Sequence, residues 1–176
     1  MSITAVENYV ATLINGAIGA YNNTPLQAWT EPPTGQATAE TPQAFVTAAE
    51  YHGQRQTMGG VQGYYVEKHQ IYVLVQWAIN PQQNQVTRNL AFKNMIDTII
   101  NIIRTSYTGV IQITDPATGN NSQLLAIGEQ IRGRILPPQS TDSPETLLFS
   151  AQLTLEAEEK VQYVANPQVP GSLVAM

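Results

Sequence analysis

The sequence predicts an α+β domain: a single mostly antiparallel sheet with two long helices packed on one face. Three stretches point to it. An apolar stripe at helical spacing occupies Ile3 to Tyr21. A β-branched run, Gln70 to Ile79, passes through Asn80-Pro81 into a second helical stripe that ends near Arg104. Leu147 to Ala157 then alternates apolar and polar residues, as a strand with one face on a core does. With 176 residues and 43% apolar content, the chain can fold one domain of ordinary size, over residues 1–164.

The first helix is expected over Ser2 to Tyr21, where Ile3, Val6, Tyr9, Val10, Leu13, Ile14, Ala17, Ile18 and Tyr21 form one stripe. Thr4 and Glu7 have capping-box spacing, with Ile3 ahead as a staple, and Asn22 to Pro25 ends the helix. Pro25 to Pro42 reads as a loop, pinned to the body by Leu26 and Trp29. Ala44 to Thr57 is a strand with a kink at Gly53. Gly59, Gly60 and Gly63 make a mobile hairpin tip. A phosphate loop is disfavoured there, since no G-x-x-x-x-G-K-[ST] pattern and no following helix are present.

In the central strand Ile71, Val73, Val75, Trp77 and Ile79 share one face and Tyr72, Leu74 and Ala78 the other, so both faces are expected to be covered. Proline cannot donate to a ladder, so Pro81 stops the strand. Leu90, Met95, Ile96, Ile99, Ile100, Ile102 and Ile103 then mark a helix over Val86 to Arg104. Val110 to Thr114 is a short strand, Asp115 to Asn121 a turn, and Leu124 to Ile127 and Gln130 to Ile135 are two weaker strands. Pro137-Pro138 to Pro144 is expected to be a loop. Residues 165–176, with Pro167 and Pro170, form an extended C-terminal arm. Its Leu173, Val174 and Met176 would dock on a neighbouring subunit; a frayed end is the alternative.

Charged residues make up 12% of the chain, about half the usual quarter. Amides and hydroxyls replace them, and a neutral amide loses less hydration on burial than an ion, which suits life in an assembly; a compositional habit of the source organism is the alternative. The net charge is −5 and no Lys or Arg run is present, so nothing grips phosphates. The absence of cysteine excludes disulfides and thiol catalysis. No signal pattern opens the chain and no apolar run nears the roughly 20 residues of a membrane span, so a soluble, cytoplasmically made protein is expected.

His52 and His69 lie in expected strands without an Asp-x-His or His-x-His pattern, and read as structural. No G-x-S-x-G elbow is present, and Ser140, Ser143 and Ser150 have no distinguishing context. Asp142 and Glu145 fall in a loop, and Glu156, Glu158 and Glu159 read as a solvated strand edge rather than as paired catalytic carboxylates. Lys68, Arg132 and Arg134 are their candidate basic partners. No catalytic, cofactor-binding or metal-ligating residue is assigned. The candidate oligomer or partner contacts are Gly59, Gly60, Gly63, Arg132, Arg134, Leu173, Val174 and Met176.

The layout resembles the bacteriophage tail terminator (tail completion, head–tail joining) proteins. It shares an amphipathic helix at Ile3 to Tyr21, a Trp-Pro crossing loop at Trp29 to Pro33 and a Gly-rich hairpin before the strand Lys68 to Ala78. A long helix at Val86 to Arg104 and a closing strand at Leu147 to Glu158 follow. The resemblance implies a structural virion protein of the neck, without enzymatic activity or cofactor. It would form a hexameric ring that caps the tail tube, contacts neck and connector proteins, and passes DNA without specific binding. Alternatives are another head–tail connector or adaptor, a tail tube protein, or a small α+β enzyme or ligand-binding domain.

Overall fold

A computed structural model describes residues 3–17, 25–30, 41–55, 62–79, 85–106, 111–114, 121–140 and 146–164. The expected tip at Gly59 and Gly60, the C-terminal arm with Leu173, Val174 and Met176, and Asp142, Ser143 and Glu145 lie outside them.

Two helices, α1 (Ile3–Ile14) and α2 (Gln85–Thr105), accompany six strands. The strands are β1 (Gln27–Trp29), β2 (Gln43–Arg55), β3 (Gln62–Ile79), β4 (Ile111–Thr114), β5 (Asn121–Ser140) and β6 (Leu147–Val164). They form one sheet in the order β1-β2-β3-β6-β5-β4. All ladders are antiparallel except β1 on β2, which is parallel, so the sheet is mixed.

The expected architecture, two long helices layered on one face of an antiparallel sheet, is corrected in two ways. Strand dominates: six strands, of which β3 and β6 have 18 residues each and β5 has 20, accompany two helices of 12 and 21 residues, so only α2 is long. The sheet is also curled. α1 touches β1 and β2 at one edge and β4 at the other. In a flat sheet of six strands those edges would stand roughly 24 Å apart, more than both the width of about 10–12 Å and the length of about 18 Å of a 12-residue helix. The sheet therefore bends into a half-barrel with the helices in its hollow.

Several local departures have physical causes. α1 stops at Ile14 because Gly16 takes a left-handed φ of 80°. Its N–H then donates to the Leu26 carbonyl at 2.8 Å, and the Asn15 side-chain oxygen accepts the Ala28 N–H at 3.1 Å. Glu7 reaches out of the helix: its Oε1 accepts the Ala48 N–H at 2.6 Å. The irregularity of β2 falls there, between Ala48 and Glu50, while Gly53 stays in register with Glu67. The two weak strands expected from Leu124 to Ile135 are parts of one, β5, interrupted at Gly128. That residue has φ 66°, and an added Cβ would lie 2.5 Å from the Ile103 side chain of α2. Pro137 and Pro138 belong to β5 and not to a loop. The register steps from Leu136 to Gln139, so the ladder asks no N–H of either proline.

The inner face carries the core. Val6, Val10 and Ile14 of α1 and Phe92, Met95, Ile99 and Ile103 of α2 meet Val73, Val75, Phe149, Leu153 and Leu155. Phe92 and Phe149 are in ring contact at 5.6 Å. The outer face of β3 is only half-covered at Tyr72 and Leu74, which corrects the expected burial on both sides there, whereas Ala78 of the same face is buried.

Candidate functional site

The inner face of β3 changes character along its length. Side chains two apart share a face, so Glu67 and His69 continue the row of Ile71, Val73 and Val75 inward. Glu159 of β6 is the cross-strand partner of Glu67, and buried Leu124 of β5 lies opposite Glu159 on the other side. Among the described side chains the row therefore ends in a polar cluster inside the sheet's hollow. Glu67 is 9% exposed, His69 0% and Glu159 1%.

His69 Nε2 and Glu159 Oε2 are 2.8 Å apart. One potential donor atom from each of Glu67, His69 and Glu159 falls within 4.8 Å of the others. Glu67 Oε2 and Glu159 Oε1 are buried and make no hydrogen bond among the described residues. Burial pushes the Glu67 carboxyl above the usual glutamate value, the Glu159 charge adds to the rise, and His69 opposes it. Two carboxylates and an imidazole so arranged can exchange protons or ligate a cation.

This overturns the expected solvated edge at Glu156, Glu158 and Glu159. β6 is not an edge strand; it lies between β3 and β5. Alternation then separates the glutamates. Glu156 is exposed, Glu159 points into the hollow, and Glu158 is half-buried on the outer face. There it meets its cross-strand partner Lys68 at 2.6 Å, a contact that raises the lysine's pKa. The sequence held a signal for the cluster: Glu67-x-His69, two apart in a strand, is an acid-x-His pair that an Asp-x-His or His-x-His pattern passes over. Glu159, 90 residues beyond His69, enters only through sheet topology.

The other candidates lie elsewhere. Arg132 and Arg134 are exposed on β5, paired with Thr154 and Gln152 on the outer face. Arg132 borders an open hollow of about 210 Å³ together with Gln70, Tyr72, Gln130, Thr154 and Glu156. Gly63 pairs with Tyr163 inside the β3–β6 ladder, and His52 with Lys68 in the β2–β3 ladder. Ser150 is buried and Ser140 ends β5 exposed. Trp29 stacks on Phe45 with ring centroids 5.9 Å apart, the anchoring expected of it.

No helix of the described residues is long and apolar enough to cross a membrane. No family model matches the chain, and no curated protein matches it.

Proposed function

We propose that the chain is a structural subunit of a bacteriophage neck: a tail terminator that assembles into a hexameric ring, ends the tail tube and joins it to the head connector. Its part is assembly rather than catalysis, and DNA passes the ring without specific binding. One observation carries the reading. Among the described residues, both ends of the sheet leave strand edge uncovered. β1 pairs with β2 only at Gln43, Ala44 and Phe45, and β4 pairs with β5 only from Asn121 to Leu124. Among the described residues nothing continues either ladder along the rest of β2 or β5. An uncovered edge is a template for another strand. Two different edges on one subunit favour head-to-tail contact, and such contacts close into rings when the rotation between copies allows. Exposed Ile135, Arg132 and Arg134 lie along the free part of β5 and would belong to that contact. The low charge content supports the same reading, since few ions must be desolvated where copies meet.

Light scattering on the purified full chain, with negative-stain imaging and a capping assay on assembled tail tubes, tests this. A six-fold ring that blocks further tube growth is expected. A monomer at all concentrations that leaves tube length unchanged would overturn it.

A further inference from the structure

We propose that Glu67, His69 and Glu159 form a binding site for a divalent transition-metal cation, with zinc the best fit. The inference stands apart from the ring reading. It rests on the geometry of three side chains that are each at least nine-tenths buried on adjacent strands.

The donor set is one imidazole nitrogen and two carboxylate oxygens, ligands that zinc accepts together. Around a tetrahedral zinc with bonds of about 2.0–2.1 Å, ligand atoms stand roughly 3.3–3.4 Å apart. His69 Nε2 and Glu159 Oε2, now at 2.8 Å, need only open slightly. The widest separation in the cluster, no more than 4.8 Å, needs to close by a carboxylate rotation. Calcium and magnesium are disfavoured, because both prefer all-oxygen shells and more ligands than this site supplies.

The second observation is the pair of orphan oxygens. Glu67 Oε2 and Glu159 Oε1 are both buried and both lack a hydrogen bond among the described residues. Two carboxylates in one buried cluster repel when both are charged, and a single imidazole cannot compensate two buried charges, among the most costly features a fold can hold. A divalent cation offsets both charges at once, and carboxylate rotation or binding through both oxygens of a carboxylate gives the orphan oxygens a partner. The location adds a purpose. From Ile71 and Leu155 onward the described inner face is apolar; at the Glu67 end a metal would tie β3 to β6 through its three polar ligands.

The full chain, stripped with a chelator and desalted, is titrated with zinc chloride by calorimetry, with magnesium chloride as control. Wild type, Glu67→Gln and Glu159→Gln are compared, and cobalt(II) is added in place of zinc to read ligand geometry from its visible absorption. One zinc per chain is expected, with a raised unfolding midpoint. Either variant should weaken binding by at least about a hundredfold, the upper range for disturbing even the outer partners of a metal site. Cobalt bands of a four- or five-coordinate ion should appear in wild type and be lost in His69→Gln. If a variant does not fold, anomalous scattering at the zinc edge from wild-type crystals replaces it, with a peak expected between Glu67 and Glu159. Absence of stoichiometric zinc, equal affinity in wild type and folded variants, or a peak elsewhere would overturn the site.

Discussion

Lys68–Glu158 and His69–Glu159 stand one residue apart on the same two strands, and they live in different media. The first pair lies on the outer face, with its lysine side chain 56% exposed and its glutamate 35%. The second lies in the hollow, at 0% and 1%. Water screens the outer pair and competes for both of its partners, so such pairs contribute little to stability. The inner pair has lost that water, and each atom must find a protein partner or a ligand. Identity of residue type along the chain is thus a poor guide to energetic weight. The side of the sheet decides it.

The largest test of this contrast is His69→Ala. It removes the partner of a fully buried carboxylate and should cost about 3–5 kcal/mol in chelator-treated protein. A loss below about 1 kcal/mol in urea denaturation, the size of an exposed pair, would erase the difference between the two sides. The apolar part of the same face gives a reference: Leu153→Ala, at a site of 0% exposure, should cost about 2–5 kcal/mol by cavity formation. A substitution at Leu153 that costs less than about 0.5 kcal/mol would show that the hollow is not close-packed there.

A smaller effect should appear against pH. The Glu67 carboxyl is raised above its ordinary value of 4.5 in the folded chain. Folding therefore tightens its proton, and its favourable contribution is complete below that ordinary value and is lost as pH rises through the folded one. In metal-free protein the denaturation midpoint should decline from about pH 4.5 upward through this group, and Glu67→Gln should flatten that part of the profile. Parallel profiles for wild type and variant would mean that burial leaves Glu67 unperturbed. Smallest of all is Lys68→Met on the outer face. Its midpoint should match wild type within scatter, and any difference should shrink as salt is raised.

Period carried much of the fold. The alternation of Leu147 to Ala157 correctly assigns the inner face of β6, because a half-buried strand must repeat every two residues. The stripe of α2 likewise marks Met95, Ile96, Ile99 and Ile103 as buried, although Leu90 at its start is 57% exposed. Curvature was not legible. It depends on α1 meeting both edges of the sheet, a long-range fact with no local pattern. Nor was the end of α1, where the apolar stripe continues to buried Ala17 but the backbone at Gly16 leaves the helix. The polar cluster was half legible. Glu67 and His69 show their shared face by spacing alone, whereas Glu159 becomes their neighbour only because β6 pairs with β3.

The grip of α1 on both edges of the sheet has a consequence in time. Val6, Val10 and Ile14 are completely buried at the end of folding. Their partners include β4, which follows roughly a hundred residues later in the chain, a separation that slows the search for native contacts. Until β4 has joined β5 and the sheet has bent, that apolar face has no complete seat. The earliest helix in chain order thus gains its full set of neighbours only once β4, far along the chain, is in place.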